Sequence, residues 1–213
     1  MKLRVTDMTY TANLWLFLTL LVGIIIVPGM DMLFVLANAL TGGRKAGLAA
    51  TAGIMAGGAA HTAFGAVGVG LISRIAPPVF TLLIYAGAAY MIWIGITLLR
   101  RSITVDGVGA VSRQPLWATF RQDALTSLLN PKAYLFVLAV YPQFLLPQHG
   151  PIWLQALVMG AMTVLVQFAI YGGLGIAAGR SRKFLISSPR ATSLIGRGAG
   201  VLFIATGVAT AVR

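Results

Sequence analysis

Six long, predominantly apolar runs dominate this sequence: roughly Leu14–Leu40, Gly47–Ile72, Val79–Leu99, Ala124–Leu146, Ile152–Ala178 and Leu194–Val212. A helix crosses the hydrocarbon layer with about 20 such residues, so each run is long enough to span. The runs are continuous and rich in Leu, Ala, Val and Gly. They lack the two-residue alternation of a membrane barrel, and helices are therefore expected. Charged residues make up 9% of the chain, where a soluble domain carries roughly a quarter. So few charges cannot coat a water-facing surface, and the chain reads as an all-α integral membrane protein with six transmembrane helices. With no cysteine, a disulfide scaffold and a zinc-thiolate site are excluded. Lys2, Arg4 and the apolar core Leu14–Val27 have the form of a cleavable signal peptide. The apolar run continues past Pro28-Gly29 to Leu40, however, and a retained first span is expected.

The basic residues set an orientation. Arg44 and Lys45 follow the first run, Arg100, Arg101, Arg113 and Arg121 the third, and Arg180, Arg182, Lys183, Arg190 and Arg197 the fifth. The other side holds only Lys2, Arg4, Arg74 and Arg213, with Lys132 inside a run. The positive-inside rule then makes the odd-to-even loops cytoplasmic and places both termini outside. The net charge of +12 is thus a topological signal. Nucleic acid is not expected as a partner, because no soluble face gathers the basic residues.

Two runs are interrupted, the first by Pro28-Gly29 and the fourth by Asn130-Pro131. Proline removes a backbone donor and clashes with the preceding turn, so helices 1 and 4 should be broken. The same five residues follow each break, Leu33-Phe34-Val35-Leu36-Ala37 and Leu135-Phe136-Val137-Leu138-Ala139. Three spans lie in each half, which predicts two inverted three-helix repeats, about 10–100 and about 115–213, within one transmembrane transporter domain covering 1–213. Broken helices in matching positions are a feature of many secondary transporters, where they flank the substrate site.

Few strongly polar side chains fall inside the runs: Asp31, Asn38, His61, Asn130, Lys132, Gln143 and Gln167. A charge at the bilayer centre costs about 2.5–3.5 kcal/mol even on the lenient insertion scale, so such residues line a cavity or find partners. Of the four acidic residues, Asp7, Asp106 and Asp123 lie outside or at the edge of the runs, leaving Asp31 alone in the core. Asp31 starts a half-helix, where it serves as a cap, as a proton acceptor or as a ligand for a substrate ammonium. Lys132 attracts a carboxylate, pairs with Asp31 or reaches the headgroups. Asn130 suits a helix cap. His61 lies on the row Ala49, Gly53, Gly57, His61, Gly65, at four-residue spacing on one helix face. Gly53 and Gly57 therefore read as packing or hinge positions, and His61 as a member of the seam or as a proton relay. Gln143 and Gln167 suit interhelical hydrogen bonds. The glycine repeats lack the strand and the Lys-Ser/Thr of a phosphate loop. No nucleophile stands beside a base and no metal-ligand set occurs, so neither an enzyme nor a bound cofactor is expected.

Pro28-Gly29-Met30-Asp31, Gly43-Arg44-Lys45-Ala46-Gly47, Gly53-Ile54-Met55-Ala56-Gly57 with His61, Gly87-Ala88-Ala89-Tyr90 through Gly95, Asn130-Pro131-Lys132 with Phe136, and Pro142-Gln143-Phe144 resemble the lysine exporter (LysE/RhtB) family in order along nearly the whole chain. The resemblance implies a bacterial inner-membrane exporter of amino acids driven by the proton gradient. It also implies a transport path lined by the first-span Pro28, Gly29 and Asp31 and the fourth-span Asn130, Pro131 and Lys132. The family usually has a second proline where Met30 stands, and often an acidic residue where Gly58 stands. The missing charge favours a neutral substrate of the threonine, homoserine or leucine type over lysine.

The expected function is amino-acid efflux by proton-coupled alternating access, with Pro28, Gly29, Asp31, His61, Asn130, Pro131, Lys132 and Gln143 along the substrate and proton pathway. The partners are an amino-acid substrate, protons and the lipid bilayer, with homo-oligomerisation open. Two alternatives remain at this point: a cation or metal-ion efflux protein of the wider superfamily, and a membrane assembly factor without transport.

Overall fold

A computed structural model describes residues 9–27, 29–100, 114–177, 197–198, 201, 204–209 and 211–212. Pro28, Asp7, Asp106 and part of the sixth apolar run lie outside the described residues. Among those described, the regular structure is helical throughout. Helix α1 covers Tyr10–Ile26 and α2 covers Met30–Ile75. Next come α3 (Pro77–Arg100), α4 (Leu116–Leu128) and α5 (Pro131–Phe144). Helix α6 (Ile152–Gln167) runs through a π-helical turn, Phe168–Gly172, into the short α7 (Gly173–Ile176). Met30–Val69 and Ile152–Ile176 are long and apolar enough to cross a membrane, and α4 with α5, bent by 54°, forms a third candidate span.

Both expected breaks are present. α1 stops at Ile26 and α2 begins at Met30; α4 stops at Leu128 and α5 begins at Pro131. At the second break, Asn130 accepts from the Lys132 backbone N–H at 3.0 Å, capping α5 ahead of a proline that needs no donor partner. α2 is itself two arms. Gly43 adopts φ 75° and ψ −171°, a conformation that favours glycine. A Cβ at Gly47 would lie 2.7 Å from that of Ala39, whereas residues eight apart in a straight helix are about 12 Å apart. The chain therefore reverses at Gly43, and the arms lie side by side.

The helices extend further than the apolar runs. The expected connection before Ala124 is helical from Leu116, which places Asp123 within α4. This corrects the assignment of Asp123 to the edge of a span: it is fully buried. Hydropathy marks what lipid tolerates, whereas a helix continues through polar residues wherever its backbone bonds are made.

The molecule exposes large apolar side chains and buries many of its polar ones beside an apolar core. All four tryptophans are exposed, Trp15, Trp93, Trp117 and Trp153, together with Phe64, Leu71, Leu125, Leu157 and Leu165. Asn13, Asp31, Asn38, His61, Asp123, Asn130, Gln143 and Gln167 are buried. Water would penalise so large an apolar exterior, but lipid does not. α2 is central and packs against α4, α5, α6, α3 and α7.

Candidate functional site

Where a helix breaks, its last carbonyls and first N–H groups lose their partners. Residues from several elements meet that demand here, and they line one cavity. Its lining includes Asp31 at the start of α2, His61 from the second arm of α2, Asn130 capping α5 and Lys132 in its first turn, Gln167 at the end of α6 and Tyr171 in the π-helical turn that follows. It offers about 60 Å³ to the centres of water-sized molecules, several times the about 10–15 Å³ that one water requires. Leu21, Ile24, Ile25, Phe136 and Val137 give it an apolar flank.

The two breaks are joined by cross-bonds. Asn130 Nδ2 donates to Asp31 Oδ1 at 2.9 Å, so one amide caps α5 through its oxygen and holds the carboxylate of α2 through its nitrogen. Lys132 Nζ donates to the Val27 carbonyl at 3.0 Å, placing a cation at the C-terminal end of the α1 dipole. Lysine carries three donors, so its ammonium can serve the carbonyl and still meet an anion. Tyr171 donates to the Ile25 carbonyl at 3.3 Å. His61 Nε2 lies 2.9 Å from the Ser127 carbonyl at the end of α4, and because a carbonyl only accepts, this nitrogen carries the proton. The imidazole also stands edge-on to Tyr134, with ring centroids 4.6 Å apart.

Asp31, His61, Asn130 and Lys132 are thus brought together from three stretches of sequence. Gly29 is beside them: a Cβ there would lie 3.4 Å from Lys132 Nζ. Pro131 is the first residue of α5. Gln143 stands apart from this lining; its Nε2 donates back to the Ala139 carbonyl of its own helix at 2.6 Å. The stripe along α2 lies on the fourth span. A Cβ at Gly57 would come within 2.6 Å of Ser127 Cβ and Oγ, and one at Gly65 within 2.6 Å of Val137 Cγ1.

One buried polar group escapes a reading of the sequence by apolar runs. Asp123 accepts from Asn38 Nδ2 at 3.2 Å, while its Oδ1 has no hydrogen-bond partner among the described residues. The signal that would have found it is the four-residue spacing of Thr119, Asp123 and Ser127, a polar stripe on one face of α4 whose members are all buried. Gln167, expected to bond another helix, instead has its Oε1 buried at the cavity wall with no hydrogen-bond partner among the described residues. Among the described residues, no group of three His, Cys, Asp or Glu side chains is placed to hold a metal ion.

The family described as LysE type translocator matches residues 21–213. The chain belongs to this family. A homoserine/homoserine lactone efflux protein of Salmonella typhimurium is 29% identical over 84% of this chain and 86% of its own length. A leucine efflux protein of Salmonella choleraesuis is 34% identical over 62% of this chain and 63% of its own. A membrane protein of Pseudomonas aeruginosa, described as uncharacterized, is 32% identical over 92% of this chain and 93% of its own. No solved structure matches. Membership makes this LysE-type translocator a membrane transport protein, and the relatives' names support amino-acid efflux.

Proposed function

We propose that this translocator exports a small neutral amino acid from the cytoplasm in exchange for protons, by alternating access about the cavity between the two helix breaks. The observation that carries the reading is the convergence of both breaks on one buried site holding a carboxylate, Asp31, and an ammonium, Lys132. An α-amino acid presents the complementary pair. Its carboxylate meets Lys132 and the N-terminal dipole of α5, and its ammonium meets Asp31, which otherwise carries the coupling proton. Substrate and proton then compete for one carboxylate, which is the minimal logic of an antiporter. His61 and Tyr171 keep the carbonyls of the broken ends satisfied in the state described, and exchanging those bonds would let the half-helices tilt.

The wider topology follows the sequence. Six spans form two inverted repeats in a bacterial inner membrane, the loops rich in Lys and Arg are cytoplasmic, and both termini are outside. Exposed Trp117 at the start of α4 and Trp153 at the start of α6 suit opposite membrane interfaces in that arrangement. Metal-ion efflux gains no support, since hard or soft cations want several carboxylates or thiolates in one place.

The test is efflux from cells loaded in turn with a panel of amino acids, with and without a proton uncoupler. Expression should raise efflux of at least one neutral amino acid severalfold, and the uncoupler should remove the increase. Efflux no faster than from control cells across the panel would sink the proposal, while an uncoupler-insensitive increase would remove the proton from it.

A further inference from the structure

One polar group at the cavity is left over once the zwitterion is accommodated. Gln167 is 6% exposed, and its Oε1 has no hydrogen-bond partner among the described residues. An unpaired buried acceptor of this kind carries a desolvation penalty, which is relieved when a donor arrives. Three features hold it at the cavity. Thr163, Gln167 and Tyr171 recur at four-residue spacing and all line the same void. In an α-helix four residues overshoot a full turn, and the π-helical turn Phe168–Gly172 is wound more loosely. Beginning directly after Gln167 and containing Tyr171, it cancels that drift and keeps both on the cavity side. Third, Gly58 leaves the carboxamide its space: a Cβ there would lie 2.7 Å from Oε1 and 2.8 Å from Nε2 of Gln167.

We infer that Gln167, seated against Gly58, selects substrates whose side chain carries a hydroxyl, such as homoserine, over aliphatic ones of similar size. The inference rests on the amino-acid export proposed above. A hydroxyl both donates and accepts, so it satisfies a carboxamide whichever way the amide is turned. An aliphatic side chain leaves Oε1 unpaired, and discrimination comes chiefly from that penalty, as in sites built around a substrate hydroxyl. The apolar flank formed by Ile24, Phe136 and Val137 accepts the methylene portion of either side chain.

Purified protein in proteoliposomes, preloaded with equal radiolabelled homoserine and leucine, gives the selectivity directly as a ratio of efflux rates. The wild type should favour homoserine. Gln167→Leu should lower the ratio about tenfold, mainly by slowing homoserine while leucine efflux stays within about twofold. Gly58→Ala is the independent variant. The atoms its methyl meets are the mobile end of a side chain, so the fold is kept while the carboxamide is displaced, and the ratio should fall in the same direction. Unchanged ratios in both variants, or an equal loss of both substrates, would refute a selective role. Wild-type liposomes releasing neither amino acid would instead remove the export reading, and this inference with it.

Discussion

Replacing Asp31 by Asn is expected to lower net export about a hundredfold without unfolding the protein. The variant keeps the local geometry, because the new amide oxygen can still accept from Asn130 Nδ2, as Asp31 Oδ1 does at 2.9 Å. What it loses is the negative charge at a site 8% exposed to solvent. With the substrate ammonium as its proposed partner, removing one side of that buried charge pair costs about 2–5 kcal/mol, and about 1.4 kcal/mol corresponds to each factor of ten. Two assays separate the roles. If the carboxylate binds the substrate ammonium and the proton in turn, both uncoupler-sensitive net export and substrate–substrate exchange fall. If it carried only the proton, exchange would survive, since exchange needs no net proton movement. Both are expected to fall here. An Asp31→Asn protein that exported at the wild-type rate with full gradient dependence would remove Asp31 from the mechanism, and an unchanged elution profile in detergent would show that the comparison is between folded proteins.

The centre of the site was legible in the sequence for a specific reason. Pro28-Gly29 and Asn130-Pro131 interrupt apolar runs, and breaks leave unpaired backbone groups that polar residues nearby must serve. Asp31, Asn130 and Lys132 stand beside those breaks, so local chemistry was enough to single them out. Their cross-bonding was not legible. That Lys132 reaches the Val27 carbonyl and Asn130 reaches Asp31 depends on how α1, α2 and α5 meet, which is a property of packing. Asp123 was misplaced because hydropathy falls at Arg121-Gln122, although α4 had already begun five residues earlier at Leu116. Gln167 was expected to bond another helix; instead its oxygen stops at the cavity wall without a partner among the described residues. Helical spacing would have brought out Asp123 and the face that Gln167 shares, since Thr119, Asp123, Ser127 and Thr163, Gln167, Tyr171 each repeat every fourth position.

The glycine stripe on α2 leads to the second large effect, which separates close packing from helix propensity. Gly53→Ala is expected to destabilise the protein by about 2 kcal/mol and to abolish export. The added Cβ would run into the Phe120 carbonyl and come within 2.8 Å of the Ala124 nitrogen and 3.1 Å of Asp123 Cβ. The first two are backbone atoms of α4, which no rotamer change can move, so the helices must part. Parting them also draws Asp123 away from Asn38 and Ser127 away from His61, which now meet at 3.2 Å and 2.9 Å. Gly68→Ala is the control, because a Cβ there has nothing within 4 Å. Both substitutions gain about 1 kcal/mol of helix propensity; only the first meets a neighbouring backbone. Melting in detergent, followed by tryptophan fluorescence, should place Gly68→Ala at or above the wild type and Gly53→Ala well below it. Equal melting of the two variants would mean that α2 and α4 approach less closely than described. The geometry that couples the Asp123–Asn38 contact to the cavity through Ser127 would then have to be abandoned.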